Sequence, residues 1–346
     1  MPSASPALTA RRSEAASTPV LAVVNYHYVR ERFDHPYPGI HGLTPAELSR
    51  QLEILGSCGE FVSADQLRRA VRGDRPLPPR AILVTFDDGL REQYDVAWPV
   101  LARLGVPAMF FINSGPIATH TVSSVHKIHL LRSTMPTDAL EDIVRAEADA
   151  LGVPLVWDGL EKSAALQYRY DDPRTAVLKY VLNVALPHDV RDAVVDRCFA
   201  AAFGADEAAQ SEALYMAPAQ LKRLAADGSI GSHGHEHLPL GRLSEDDALA
   251  IIRRSLDCLE RWTGRRPFAL SYPYGAREAC LAPDIDLSER LGIEFAFTME
   301  RAGNYDFQRP WHLARFDCND VPGGKAAPDA GADWLASVPA ARWHRS

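Results

Sequence analysis

Cysteine is scarce and scattered: Cys58, Cys198, Cys258, Cys280 and Cys318 are odd in number and form no CxxC pair. This argues against a disulfide framework or a zinc–thiolate site, and it predicts the reducing cytoplasm as the compartment. No apolar run approaches the roughly 20 residues that cross a bilayer, so no membrane span is expected. The first 18 residues are rich in Ala, Ser and Pro and carry Arg11 and Arg12, but they lack the apolar core of a secretory signal. Residues 1–18 are therefore expected to form a disordered arm, with 20–26 as the first strand. Basic tracts are missing too, and the formal net charge of −8 argues against a nucleic-acid partner. What is present is a 346-residue chain with 47% hydrophobic and 24% charged residues. That is the balance of a globular protein with material for one large domain or two ordinary ones.

Strand and helix signals alternate along it. Thr44-Pro45-Ala46-Glu47 has the form of a capping box with proline at the first helical position. Leu48, Leu52 and Leu55 follow at helical spacing, which predicts a helix over 45–57. Ser63 is placed to cap a short helix to Val71. A buried strand over 81–86, a helix over 92–104 ending at Gly105, and a strand over 108–112 come next. Ser244 caps a long helix to about Thr263, and strands are expected near 267–272, 292–298 and 313–317. Such alternation reads as α/β with a parallel sheet, where ligands gather at the carboxyl ends of strands.

Two clusters stand at such ends. Thr85-Phe86-Asp87-Asp88-Gly89 puts adjacent carboxylates directly after an apolar strand, where charge is costly unless something uses it. The plain alternative is a turn leaving the strand. Ile230-Gly231-Ser232-His233-Gly234-His235-Glu236-His237 gathers three histidines within five residues. Two imidazoles and a carboxylate, with a position left for water, make a catalytic rather than a structural metal site. A surface histidine cluster is the alternative here.

Taken together, these stretches resemble the first and second motifs of the polysaccharide deacetylase family (the NodB-homology, carbohydrate esterase family 4 group). Ser271-Tyr272-Pro273-Tyr274-Gly275 is similar to the third. The resemblance covers roughly residues 20–320 and implies a distorted (β/α)7 barrel over 19–320, with 321–346 as a C-terminal tail. It implies one divalent ion, zinc most simply or else Co2+, Ni2+ or Mn2+, held by Asp88, His233 and His237. It further implies Asp87 as general base and the Tyr274 main-chain N–H as a donor to the tetrahedral oxyanion. The implied reaction is removal of an N-acetyl group from an amino sugar.

The chain departs from the family pattern at three places. Ser271 stands where many relatives carry the arginine that orients the base. Arg315, flanked by apolar residues, either replaces that arginine from a neighbouring strand or lies at an edge beside Asp317. The late leucine-x-histidine motif that supplies a general acid is not recognisable. His27, at the end of the first strand, is a candidate acid, with a satisfied core histidine as the alternative. His235 is expected behind the ligands or at the surface rather than as a third imidazole ligand, and His126 and His129 on a solvated helix face, with reach toward substrate as the alternative. Finally, a helical insertion over about 116–214, with helices expected near 140–151, 175–186 and 190–203, reads as a lid over the site or a surface for homo-oligomers. With a cytoplasmic location, a lid predicts a small free, nucleotide-linked or lipid-linked N-acyl amino sugar as partner rather than a polymer. A deformylase, a cyclic-amide hydrolase or a silent carbohydrate-binding relative are the alternatives.

Overall fold

Strands β1 (Val20–Tyr26), β2 (Glu60–Phe61), β3 (Arg80–Phe86), β4 (Ala108–Ile112), β5 (Ile230–Ser232), β6 (Ala269–Ser271), β7 (Phe295–Phe297) and β8 (Phe316–Asp317) make one curled parallel sheet. The computed structural model describes residues 19–326 and 333–343, apart from 35–39, 41, 156 and 170. The arm expected over 1–18 lies outside the described residues. Sheet order is β7-β6-β5-β4-β3-β1-β8, with β2 beside β3. The segment 313–317 joins the two ends: Leu313 bridges Phe297 of β7, and Phe316 pairs with Val24 of β1. The result is the expected distorted α/β barrel surrounded by helices.

Strand alternation sorts the apolar residues into two cores. Ala22, Val24, Ile82, Val84, Phe110 and Ile112 face outward, against helix residues such as Leu48, Leu52 and Leu101. Leu21, Val23, Leu83, Met109, Phe111, Phe297 and Leu313 face inward. Asn25, Thr85, Ser271 and Arg315 continue the same inward alternation, so a polar layer sits on top of the apolar inner core at the carboxyl ends of the strands.

The outer helices start and stop where local chemistry dictates. Reciprocal capping boxes open Pro45–Cys58 (Thr44 with Glu47) and Ala64–Val71 (Ser63 with Gln66). Left-handed Gly105 and Gly264 end Trp98–Leu104 and Glu245–Thr263. Residues 333–343 also pack down, with Trp334 and Leu335 buried and the Glu300 carboxylate accepting the N–H groups of Arg342 and Trp343.

Between β4 and β5 the chain is helical. Helices Thr137–Ala150, Pro173–Tyr180 (continued by a π turn over Val181–Ala185) and His188–Phe203 lie where patterning placed them. Ser114–Thr119, Ser124–Thr134, Glu161–Gln167 and Ala208–Leu214 are additional. Ser124–Thr134 buries His126, Lys127, Ile128, Leu130, Leu131 and Ser133, so it has no polar stripe to betray its period. The Lys127 ammonium is neutralised inside the insertion by Asp196 and Glu207, both at 2.6 Å.

Candidate metal and catalytic site

The end of β3 turns sharply: Asp88 has φ +80° and Gly89 φ +71°. A left-handed non-glycine residue is strained, and here the strain sends the two carboxylates in different directions. Both are buried.

Asp88 faces the loop after β5. One ligand atom each from Asp88, His233 and His237 lie within 4.8 Å of one another. Asp88 Oδ1 is 3.5 Å from His233 Nε2 and 3.3 Å from His237 Nε2, and it has no hydrogen-bond donor among the described residues. The His233 Nδ1 lies 2.8 Å from the Ser271 carbonyl. A carbonyl only accepts, so Nδ1 carries the proton and Nε2 presents its lone pair. Burial pushes His233 down to about 4, which keeps it neutral. A buried carboxylate oxygen without a donor, facing the lone pair of His233 and the Nε2 of His237, is the nitrogen–oxygen set that divalent zinc or its neighbours take. The residues fit such an ion. Burial raises the Asp88 carboxyl, yet His126 and His237 outweigh this and hold it well below the usual carboxylate range.

Asp87 faces the inner polar layer. Arg315 is wholly buried and forks onto it, Nη1 to Oδ1 at 2.9 Å and Nη2 to Oδ2 at 2.8 Å. Asn25 Nδ2 donates to Oδ2 at 3.0 Å. The guanidinium also donates to the Ser271 hydroxyl at 2.8 Å, the Thr298 carbonyl at 3.1 Å and Asn25 Oδ1 at 3.1 Å. Its charge and its N–H groups are thus met inside the protein, as a buried arginine requires. Asp317 instead accepts from the N–H of Asn319, so the edge pairing considered for Arg315 does not occur. Burial pushes the Asp87 carboxyl up, but Arg315 and then His233 bring it down to about 2.

Tyr274 has φ +62° and packs edge-on against His237, ring centroids 4.9 Å apart. Gly275, φ +59°, has no room for a side chain: a Cβ there would lie 2.8 Å from the Met299 nitrogen. That close approach fixes the loop carrying Tyr274. His27 is half-buried, close enough for its charge to act on Asp87. His235 points away from the ligand atoms, its Nδ1 2.8 Å from Ser114 Oγ.

Two insertion residues reach this site. Arg191, 2% exposed, donates from Nη1 to the Tyr274 hydroxyl at 3.2 Å. His126 is fully buried with Nε2 3.2 Å from Asp88 Oδ2, which corrects its placement on a solvated face. His129 is half-buried, its Nδ1 2.9 Å from the Tyr28 hydroxyl, and is corrected likewise. The i, i+3 spacing of these histidines was the signal that they share a face, and the surrounding helices turn that face inward. Asn25 and Arg191 belong to no motif; for Asn25 the sequence signal is its inward place in the alternation of β1.

The family model described as polysaccharide deacetylase matches residues 74–151 and 195–296. A 49-residue segment is 43% identical to the poly-beta-1,6-N-acetyl-D-glucosamine N-deacetylase of Escherichia coli (strain K12), covering 14% of this chain and 7% of that relative. Among solved structures, IcaB from Ammonifex degensii is 18% identical, with a TM-score of 0.51, over 92% of this chain and 98% of that one. The Streptococcus pyogenes deacetylase PplD in complex with acetate is 14% identical, also with a TM-score of 0.51, over 86% and 92%. At such identities the likeness is one of fold.

Proposed function

The chain belongs to the polysaccharide deacetylase family, and from that premise we propose that it is a metal-dependent hydrolase removing the N-acetyl group of an amino sugar. The observation that carries this reading is the pair of carboxylates at one strand end. One converges with two imidazoles within 4.8 Å, and the other is clamped by a buried arginine.

Asp88, His233 and His237 would hold one divalent ion, zinc most simply, with Co2+, Ni2+ or Mn2+ as substitutes. When bound, the ion supplies Lewis acidity toward the amide carbonyl and makes water a better nucleophile. Asp87 takes the proton. Oδ2 already accepts from Arg315 and Asn25 while Oδ1 accepts from Arg315 alone, so Oδ1 keeps a lone pair free. The fork lowers the basicity of Asp87 but fixes its direction, and placement is where such a base earns its rate. Arg315 thereby does from the β8 side what Ser271 cannot. The Tyr274 main-chain N–H serves the developing oxyanion, and His27 is the acid candidate for the leaving amine.

We further read the substrate as small: a free, nucleotide-linked or lipid-linked amino sugar. Support comes from the insertion, whose buried Arg191 donates to the Tyr274 hydroxyl beside His237 and so brings insertion atoms up to the rim of the site. The name of the E. coli relative points instead to polymeric N-acetylglucosamine, so the decisive experiment compares the two. Acetate and formate release would be measured from free, nucleotide-linked and lipid-linked N-acyl amino sugars alongside β-1,6 and β-1,4 oligomers. Acetate from the small sugars is expected. Turnover confined to long oligomers would overturn the size reading, formate release would make the enzyme a deformylase, and bound ion without release from any substrate would make it a silent binder.

A further inference from the structure

The insertion reaches the back of the ion site through a chain of buried hydrogen bonds. His126 Nε2 lies 3.2 Å from Asp88 Oδ2. Its Nδ1 lies 2.6 Å from the Tyr215 hydroxyl and 2.9 Å from Ser123 Oγ. An ionised carboxylate only accepts, so Nε2 carries a proton, and in the neutral ring Nδ1 is then the acceptor. The Tyr215 oxygen accepts from the Ser123 N–H at 3.1 Å and its hydroxyl lies 3.2 Å from Ser123 Oγ, so the paired Tyr215 and Ser123 hydroxyls can supply the hydrogen that Nδ1 accepts. The partners of this chain come from both ends of the insertion. Its exit is anchored next to the site, where the Met216 N–H donates to the Gly89 carbonyl at 3.0 Å. Asp88 thus has Oδ2 engaged from the insertion side and Oδ1 left toward His233 and His237.

We propose that His126 is a positioning residue for the metal ion: its Nε2–H holds Asp88 so that Oδ1 alone faces the ion, and the paired Tyr215 and Ser123 hydroxyls at Nδ1 lock the tautomer that makes this donation available. The proposal rests on the reading of Asp88, His233 and His237 as ligands. It makes the insertion part of the metal centre, not a removable cover. Hydrogen bonds that orient a ligating group commonly change metal affinity by about 10- to 100-fold when lost.

The test is competitive titration of Zn2+ against a chromophoric chelator, with Co2+ absorption as a second readout. It uses the full chain and the variants His126→Ala, His126→Gln, Tyr215→Phe and Asp88→Ala. His126→Ala should weaken Zn2+ binding by about 10- to 100-fold and shift the Co2+ ligand-field bands. His126→Gln, whose amide can still donate to Oδ2, should recover most of the affinity, and Tyr215→Phe should fall between. A merely structural role would lower the melting temperature of the ion-free protein and leave the affinity of folded molecules unchanged. Wild-type affinity in folded His126→Ala, or in a Ser123→Ala, Tyr215→Phe double variant should the alanine variant not fold, overturns the proposal. If Asp88→Ala alone loses the ion, only the role of His126 fails; if the unmodified chain binds neither Zn2+ nor Co2+, the ligand reading fails with it.

Discussion

Asp87 and Asp88 are adjacent, yet one meets a guanidinium and the other three imidazoles, so single substitutions should separate them. Asp88→Ala and His233→Ala should each lose both bound ion and turnover, read by metal analysis of the purified protein. Asp87→Asn should keep the ion and lose about 10²- to 10⁴-fold in kcat, the range expected for removing a general base. Full activity in Asp87→Asn would end the proposed mechanism. Arg315→Lys should lower kcat by about 10²-fold at unchanged ion content, because an ammonium reproduces neither the fork nor its alignment of Asp87. Arg315 was conspicuous in the sequence because a guanidinium among apolar neighbours demands a partner. His126 was not, since a histidine on a helix carries no mark of whether its face meets water or protein. That depends on which other helices cover it, which local pattern does not encode.

Local rules worked best for elements that carry their own stop and start chemistry. The capped helices at Thr44 and Ser63 and the strand Ala108–Ile112 could be placed from sequence because caps, turn glycines and apolar runs sit at their borders. Strands β6 and β7 lie inside the stretches expected near 267–272 and 292–298 but shrink to three residues each, and β5, equally short, had no expected strand; at that length pairing with neighbours sets the bounds. One ion pair between elements has a measurable signature. Glu294, just before β7, accepts from Arg68 and Arg72 at the end of the helix Ala64–Val71, at 2.5 and 2.6 Å. Burial raises its carboxyl, but the two arginines outweigh this and bring it below the usual glutamate range. The folded state therefore binds that proton less readily than the unfolded chain. The resulting stability is complete above the ordinary glutamate pKa and disappears as pH falls through the lower folded value. Glu294→Gln should lower the unfolding free energy by about 1 kcal/mol at neutral pH. That difference should shrink in parallel urea titrations carried below pH 4. A constant difference across the range would show that the charge contributes nothing.

At the scale of the whole molecule, the proposed ligands come from two loops, after β3 and after β5, with β4 between them. An ion would therefore tie together parts of the sheet that the unfolded chain cannot assemble. Zn2+ at 100 times its Kd should stabilise the protein by about 2.7 kcal/mol, seen as a rise of a few degrees in Tm that a chelator reverses. The barrel itself closes through a narrow seam, the single bridge Phe297–Leu313 on one side and the two-residue β8 on the other. Arg315 lies between those two contacts, so the residue proposed to aim the base also sits in the seam that closes the barrel. Opening of this seam would release Asp87 from its counter-charge at the same moment. Amide hydrogen exchange can follow that event: the Leu313 and Thr298 N–H groups, bonded across the seam to Ala296 and Leu313, should exchange much faster in Arg315→Ala while those of β4 stay protected. Catalytic competence and closure of the fold would then rise and fall as one local equilibrium, and conditions that let the seam breathe would silence the enzyme well before it unfolds.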